Sequence, residues 1–383
     1  MTASTPADAT ELHAIGAQRR RLLGVVWLTL AATALATAVA ALLAAAPAVA
    51  GTGSVETTSR ISIVGWQPDR NGSTIWKGTA NRLTAARFLR GARLATLSGT
   101  GVGVAYIRYA GSGVDVYLTG THGGFEQKLA HVAHSRTTSL AVSRDGRRIA
   151  FATPSGIDVV RNAEGFPRRT VPLPDRWRGS RYGALTFSPD GRRLAFSRTW
   201  GDGRAGTLRN ELAVVGLDGS RARSLARNPE PFGSRYDPTF TPDGTRISFP
   251  SADGSLALVP AAGGPVTRLT QPPKRVSDWR DERPIYSADG RWVAFTRSRG
   301  GGPSEVFVVR ADGTGLRQLT ITQPPSEPGQ SQAGSTALAW SPSGTSVLAF
   351  RRDHFAAVGL VSGEATTIFG VGAQGEIGAA IWR

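Results

Sequence analysis

One short phrase is written five times along this chain, and it limits the fold more than any other feature. FSPDGRRLAFSR runs from Phe187 to Arg198. Close copies run from Val142 to Thr153 (VSRDGRRIAFAT), Phe240 to Ser251 (FTPDGTRISFPS), Tyr286 to Arg297 (YSADGRWVAFTR) and Trp340 to Arg352 (WSPSGTSVLAFRR). In Ser188-Pro189-Asp190-Gly191, proline fixes φ for the second position of a tight turn, and aspartate suits the third. Glycine then takes the left-handed conformation that leads into the next strand. Leu185 and Phe187 lie before the turn and Leu194, Ala195 and Phe196 after it, so the phrase reads as strand, turn, strand.

A second phrase follows each first one. ELAVVGLDGSRARSLA (Glu211 to Ala226), SLALVPAAGGPVTRLT (Ser255 to Thr270) and EVFVVRADGTGLRQLT (Glu305 to Thr320) each read as another hairpin. Asp115 to Ala130 and Ile157 to Val171 fit the same mould. One unit is therefore four antiparallel strands. The anchor positions Val142, Phe187, Phe240, Tyr286 and Trp340 recur roughly every 45 to 54 residues, the spacing of β-propeller blades. Glycine at 47 positions and proline at 23 agree with a turn-rich, all-β chain.

Six tandem units start near Thr84, Arg136, Gly183, Asp237, Pro284 and Thr336. The chain ends supply a seventh. Ile61 to Thr84 aligns with Ile247 to Thr270, which are strands two to four of a unit, while Glu376 to Arg383 resembles a first strand and then stops. Pairing the two would close the ring without leaving an open sheet edge. The expected fold is an all-β, seven-bladed β-propeller over residues 60–383, with six blades as the alternative.

FSPDGRRLAFSR followed by LAVVGLDGSRARSLA resembles the WD40-like (PD40) repeat of TolB-type propeller proteins, and the resemblance covers roughly residues 60–383. It implies the propeller fold. TolB-type proteins carry a separate α/β domain before the propeller. Residues 1–60 are instead expected to hold only an anchor and a linker, so the resemblance does not carry TolB's partner-binding role to this chain.

Residues 1–21 form a short N-terminal segment ending in Arg19, Arg20 and Arg21. Leu22 to Ala46 carries no charge and is rich in alanine and leucine. At 1.5 Å per residue it would make a helix of about 37 Å, against a hydrocarbon core of about 30 Å. Residues 22–46 thus read as a transmembrane or signal-anchor helix, and residues 47–59 as a linker. The arginines keep residues 1–21 cytoplasmic and place the propeller outside. Cleavage near Ala50, after the small-residue pattern Ala48-Val49-Ala50, would secrete it instead.

The absence of cysteine rules out disulfides, thiolate metal sites and a cysteine nucleophile. Net charge is +17. Lysine occurs only at Lys77, Lys128 and Lys274, so nearly all the cationic charge is arginine. That charge suits an anionic partner. It is also what scattered arginines would give if they served solubility alone, and nucleic acid is not expected.

The turn aspartates Asp145, Asp190, Asp243 and Asp289 recur at one position of each unit, so they read as turn-shaping residues rather than metal ligands. GDGRAG (Gly201 to Gly206) lies between two expected strands, not between strand and helix, and reads as a loop. His122, His131 and His134, with Glu126, would form a metal site only if a loop made them converge, because strand residues three apart face opposite sides. No metal, cofactor or catalytic residue is expected.

The segments leading into the first strands share a character. Arg136, Arg181, Arg235 and Arg280 fall five or six positions before the anchors, with Tyr182, Tyr236, Trp177 and Trp279 beside them. The first strand of a blade is innermost, so these residues would rim the channel mouth. There guanidinium forks would grip carboxylate or phosphate, and the rings would add stacking surface. Pairing with acids such as Asp237, Asp281 and Glu282 would make them staples between blades instead. The functional expectation is a monomeric, membrane-anchored propeller that binds or scaffolds a protein, peptide or anionic envelope polymer. An enzyme, lyase or hydrolase, acting on an anionic polymer at the channel mouth is the alternative, as is a sensor that relays through a membrane partner.

Overall fold

The computed structural model describes residues 59–383, except 68–69, 81, 123, 134–138, 202–207, 228–237, 272–278, 300–301, 323–333, 352–353, 362, 364 and 371–375. The expected helix over 22–46 lies outside the described residues. Among the described residues no helix is long and apolar enough to cross a membrane.

Seven sheets of four antiparallel strands, each in meander order, make up the fold. Blade 1 comprises Arg93–Leu97, Gly103–Ala110, Gly113–Gly120 and Glu126–Val132. Blade 2 runs from Leu140–Val142 to Arg168–Thr170 and blade 3 from Arg181–Phe187 to Arg223–Arg227. Blade 4 runs from Thr239–Phe240 to Thr267–Arg268, blade 5 from Trp279–Tyr286 to Arg317–Gln318, and blade 6 from Ser335–Trp340 to Ala365–Gly370. Around most of the ring the first strands of neighbouring blades touch one another, so they line its centre.

Blade 7 is composite. Its first strand is Glu376–Trp382 and its other three are Arg60–Gln67, Gly72–Thr79 and Arg82–Arg90. The seam pairs Ile61 with Trp382, Ile63 with Ala380 and Trp66 with Glu376. At its end the Arg383 N–H donates to the Arg60 carbonyl at 2.9 Å, and the Arg60 N–H donates back at 2.5 Å. The outer strand extends to Arg90, so blade 1 begins at Arg93 rather than near Thr84.

The core follows from this topology. Among the described residues seven apolar clusters occur, and each joins two neighbouring blades. Leu194 and Phe196 of blade 3 pack with Phe187, Ala150 and Val159 towards blade 2, whereas Ala195 of the same strand packs with Ile247 and Phe249 of blade 4. Successive side chains of a strand face opposite ways. A blade covered on both faces therefore needs unbroken apolar runs such as Leu194-Ala195-Phe196 rather than alternation.

The turn aspartates act as their spacing predicts. Asp190 Oδ1 accepts from the Ser188 hydroxyl at 2.5 Å and from the Arg192 N–H at 3.0 Å. Asp145, Asp243 and Asp289 repeat this arrangement with Ser143, Thr241 and Ser287. Blade 6 substitutes Ser343, which meets Ser341 at 3.2 Å. For Asp190, burial alone would raise the carboxyl, but bonds from Ser188 and the Arg192 amide bring it below its ordinary value. Gly191 follows at φ +66°, the left-handed conformation the turn requires.

A second recurring device is a bulge in the first strand. Ladder register shifts between Arg93 and Thr96, Gly183 and Thr186, and Glu282 and Ile285. Each places a residue other than glycine at positive φ: Leu94, Ala184 and Arg283. Such positions cost on the order of 1 kcal/mol each and bend the inner strand. In blade 5 the bulged Arg283 donates to the carbonyl of Ile377 in blade 7 at 3.2 Å, tying inner strands two blades apart.

Two outcomes are expected. Trp382 is 6% exposed within the seam cluster beside Ile61 and Leu338. Trp382→Ala should lower the unfolding free energy by about 3–5 kcal/mol, measured by denaturant melts. The turn carboxylates have folded pKa values below the unfolded ones, so their contribution is present above about pH 4 and lost as pH falls below it. In thermal melts the stability gap between wild type and a variant with Asp145, Asp190, Asp243 and Asp289 all changed to Asn should shrink between pH 6 and pH 2; a constant gap would contradict the assignment.

Candidate functional site

In blades 2 to 5 the chain enters the first strand at one end of the ring and makes the aspartate turn at the other. The expected arginine rim therefore sits at the entry end, opposite the turns. Arg136, Arg235 and Tyr236 lie outside the described residues, as do Asp237 and His134.

Arg181 and Arg280 do occupy equivalent places. Arg181 opens the first strand of blade 3 and pairs in the ladder with Thr199; Arg280 stands second in that of blade 5 and pairs with Ser298. Both are exposed. The residue after each points inward between the sheets, and there the two blades differ.

In blade 3 that residue is Tyr182. It is 8% exposed, and its hydroxyl donates to the Trp177 carbonyl at 2.5 Å. Trp177, held in a short 3-10 turn over Asp175–Trp177, is buried too. Both rings meet Phe196 edge to face at 5.9 Å. Tyr182 and Trp177, expected to offer stacking surface, are instead core. Aromatic rings that can bury their full area and satisfy the polar tip internally have no reason to stay at the rim. Burial pushes the Tyr182 phenol up, so the hydroxyl remains a neutral donor.

In blade 5 the inward residue is Asp281. It is 1% exposed and accepts from Arg297 through two bonds, Nε at 2.6 Å and NH2 at 2.7 Å. The Thr270 hydroxyl of blade 4 donates to the same carboxylate at 2.5 Å. Asp281 is thus a staple between blades, but its partner is the second-strand Arg297 rather than the entry Arg280. Trp279 is half-buried, and its Nε1 has no hydrogen-bond partner among the described residues. Gly254 of blade 4, at φ +79°, lies so close to the Trp279 carbonyl that any Cβ there would collide with it. That close approach fixes where the blade 5 entry strand begins.

Blade 3 repeats the buried arginine with a different acid. Arg198 aligns with Arg297; its Nε donates to Glu211 at 2.7 Å and its NH1 to Ser180 at 3.0 Å. The guanidinium lies 3.9 Å from the Trp200 ring centroid. Sequence reasoning missed this pair of arginines, although both close the repeated phrase, in AFSR and AFTR.

The histidines go separate ways. His131 Nδ1 meets Asp115 at 2.7 Å on the outer part of blade 1, with Lys128 also 2.8 Å from that carboxylate. His122 stands against Lys77 of blade 7 at 2.7 Å, and Glu126 binds Arg108 at 2.7 Å. Among the described residues no three His, Asp or Glu side chains converge on a metal position. Residues 202–207 of the glycine-rich loop lie outside the described residues, but the strands flanking them pair directly, Trp200 with Arg209.

Fold and entry-end geometry define a closed seven-bladed propeller, with exposed arginines where inner strands begin and buried arginine–acid pairs beneath them. No protein-family model matches the chain. It is 29% identical over 242 residues to a TolB homolog of Chlorobium luteolum, a match covering 61% of this chain and 51% of that relative. The match thus spans about half of the relative's length. Its repeats resemble those of TolB-type propellers. Among solved structures, oligogalacturonate lyase from Vibrio parahaemolyticus superimposes with a TM-score of 0.53 at 11% identity, covering 81% of this chain and 86% of that one. A putative 6-phosphogluconolactonase from Bacteroides fragilis gives 0.54 at 13% identity, covering 87% and 100%. These two likenesses show the fold alone.

Removing Glu211 would strand a buried guanidinium. Glu211→Ala should cost about 3–5 kcal/mol, whereas the paired change Arg198→Met with Glu211→Leu should recover most of it. Urea melts of the three proteins check this.

Proposed function

We propose that the chain is an extracytoplasmic binding or scaffolding module, anchored by residues 22–46, whose entry end receives a protein, peptide or anionic envelope ligand. The observation that carries the reading is Arg181. It is exposed at the start of an innermost strand and forms no ion pair among the described residues. Beneath it, Glu211 and Asp281 are already matched by Arg198 and Arg297. Buried acids spent in this way leave the charge of Arg181 for a ligand. A guanidinium fork favours carboxylate or phosphate over neutral groups. The likeness to TolB-type repeats supports the propeller fold, and the rigid ring suits a binding role, because inter-blade packing fixes the ends of its inner strands. The anchor and its three flanking arginines support placement outside the cytoplasm.

The test is co-purification from native membranes after cross-linking, using the full chain and an Arg181→Glu variant. Charge reversal at this exposed position should leave the melting temperature unchanged and reduce recovery of the bound species about tenfold or more. Equal recovery from both proteins would remove the entry end as the binding surface.

A further inference from the structure

At the other end of the ring, among the aspartate turns, a cleft of ≈ 590 Å³ opens between blades 2 and 3. Arg148, Arg169, Arg192, Arg193 and Arg221 line it. These residues come from four separate places: Arg148 starts the second strand of blade 2, Arg169 lies on its fourth strand, Arg192 and Arg193 end the aspartate turn of blade 3, and Arg221 follows that blade's outer turn. Only the packing of blade 2 against blade 3 brings them together.

The carboxylates of the cleft do not neutralise this charge. Asp190 and Asp218 line the cleft as well. Each uses Oδ1 to hold its own turn, through the Arg192 N–H at 3.0 Å and the Ser220 N–H at 2.9 Å. Both stay ionised, so the guanidinium groups of Arg148, Arg169, Arg192 and Arg221 face two carboxylates, with Asp145 reached only by Arg148 at 4.0 Å. Arg169, Arg192, Arg193 and Arg221 make no ion pair among the described residues. Like charges so gathered repel unless an anion joins them.

Arg193 turns its guanidinium away from this cleft: its NH2 donates to the Gly244 carbonyl of blade 4 at 2.8 Å, and the group lies 5.5 Å from the Phe240 ring centroid. Arg148 lies over Gly191, where the missing side chain leaves it room. Arg221 itself stands at φ +56°, a strained conformation for a residue with a side chain. Backbone strain of this kind gathers at ligand clamps.

The lining also limits the ligand. Leu217 is its one apolar side chain and it holds no aromatic ring. A nucleobase or an apolar ring would gain little there. Excess positive charge in a compact polar cleft matches adjacent phosphoryl groups, each of which accepts paired bonds from a guanidinium fork.

We propose that this cleft binds a compact oligophosphate, either free or carried on a phosphate-linked polymer, with Arg169, Arg192 and Arg221 closing on phosphoryl oxygens and Arg148 fixed behind them. The site is separate from the entry-end surface and does not depend on it.

Calorimetry on the full chain in detergent micelles tests it with inorganic tripolyphosphate, a glycerol-phosphate oligomer and citrate. Tripolyphosphate should bind saturably, more weakly as sodium chloride is raised. Arg169→Ala with Arg192→Ala, both exposed positions, should weaken it about tenfold or more, while Arg181→Ala at the opposite end should not. Tighter binding of the glycerol-phosphate oligomer would also support the site and name the polymer as its source. Three results would each overturn the proposal: no saturable binding of either phosphate ligand by about 1 mM, citrate binding as tightly as tripolyphosphate, or affinity that responds to Arg181→Ala and not to the cleft variant.

Discussion

Closure of the ring by its own chain ends is the contact on which the other features rest. A blade cannot bury its faces alone. Each of the seven apolar clusters needs two blades, and without the pairing of Glu376–Trp382 to Arg60–Gln67 the clusters on both sides of blade 7 would lose part of their walls. An opened ring would also expose the unpaired edge of Arg60–Gln67, which invites association with other chains. The seam joins the two ends of the described sequence, so its loop-closure cost is large in chain length but grows only slowly with it. Side chains as large as Trp382, Trp76 and Phe355 gather at this joint, where no direct chain connection holds the first strand of blade 7 to its other three.

Arginine, the dominant charge, is used in three physically different ways. Arg198 and Arg297 are buried, paired with carboxylates and stacked on rings, so they contribute specificity of packing more than net stability. Arg283 crosses the channel to a backbone carbonyl of blade 7, from a bulge that costs strain. Others stand at the two ends of the ring, such as Arg181 at one and Arg192 at the other. Scattered along the sequence, these residues look alike. Their roles diverge because one strand position faces a neighbouring blade, another the channel and a third the solvent.

The hairpin phrases, the aspartate turns and the seam could all be read from the sequence. Asp190 and its equivalents show their purpose because turn geometry is local: the bonds run from Ser188 and to Arg192 within a few residues. The seam showed itself as complementary fragments at the two ends. The entry end was only partly legible. Arg181 and Arg280 are exposed as their spacing suggests, but Tyr182 and Trp177 turned inward, since nothing local says which face of a strand finds Phe196. The partner of Asp281 was also beyond reach, because choosing Arg297 over Arg280 depends on the ladder register.

The sequence by itself therefore determined the unit and its turns and indicated how the ends complete one another, because those follow from periodicity and from bonds within a few residues, while six blades stood as the alternative to seven until the structure closed the ring. Only the tertiary structure decided which arginines are buried, which reach into the channel and which gather in the cleft between blades 2 and 3. Those outcomes depend on the angle and register at which one sheet meets the next, set by packing across both faces of each blade and not by any short stretch of chain.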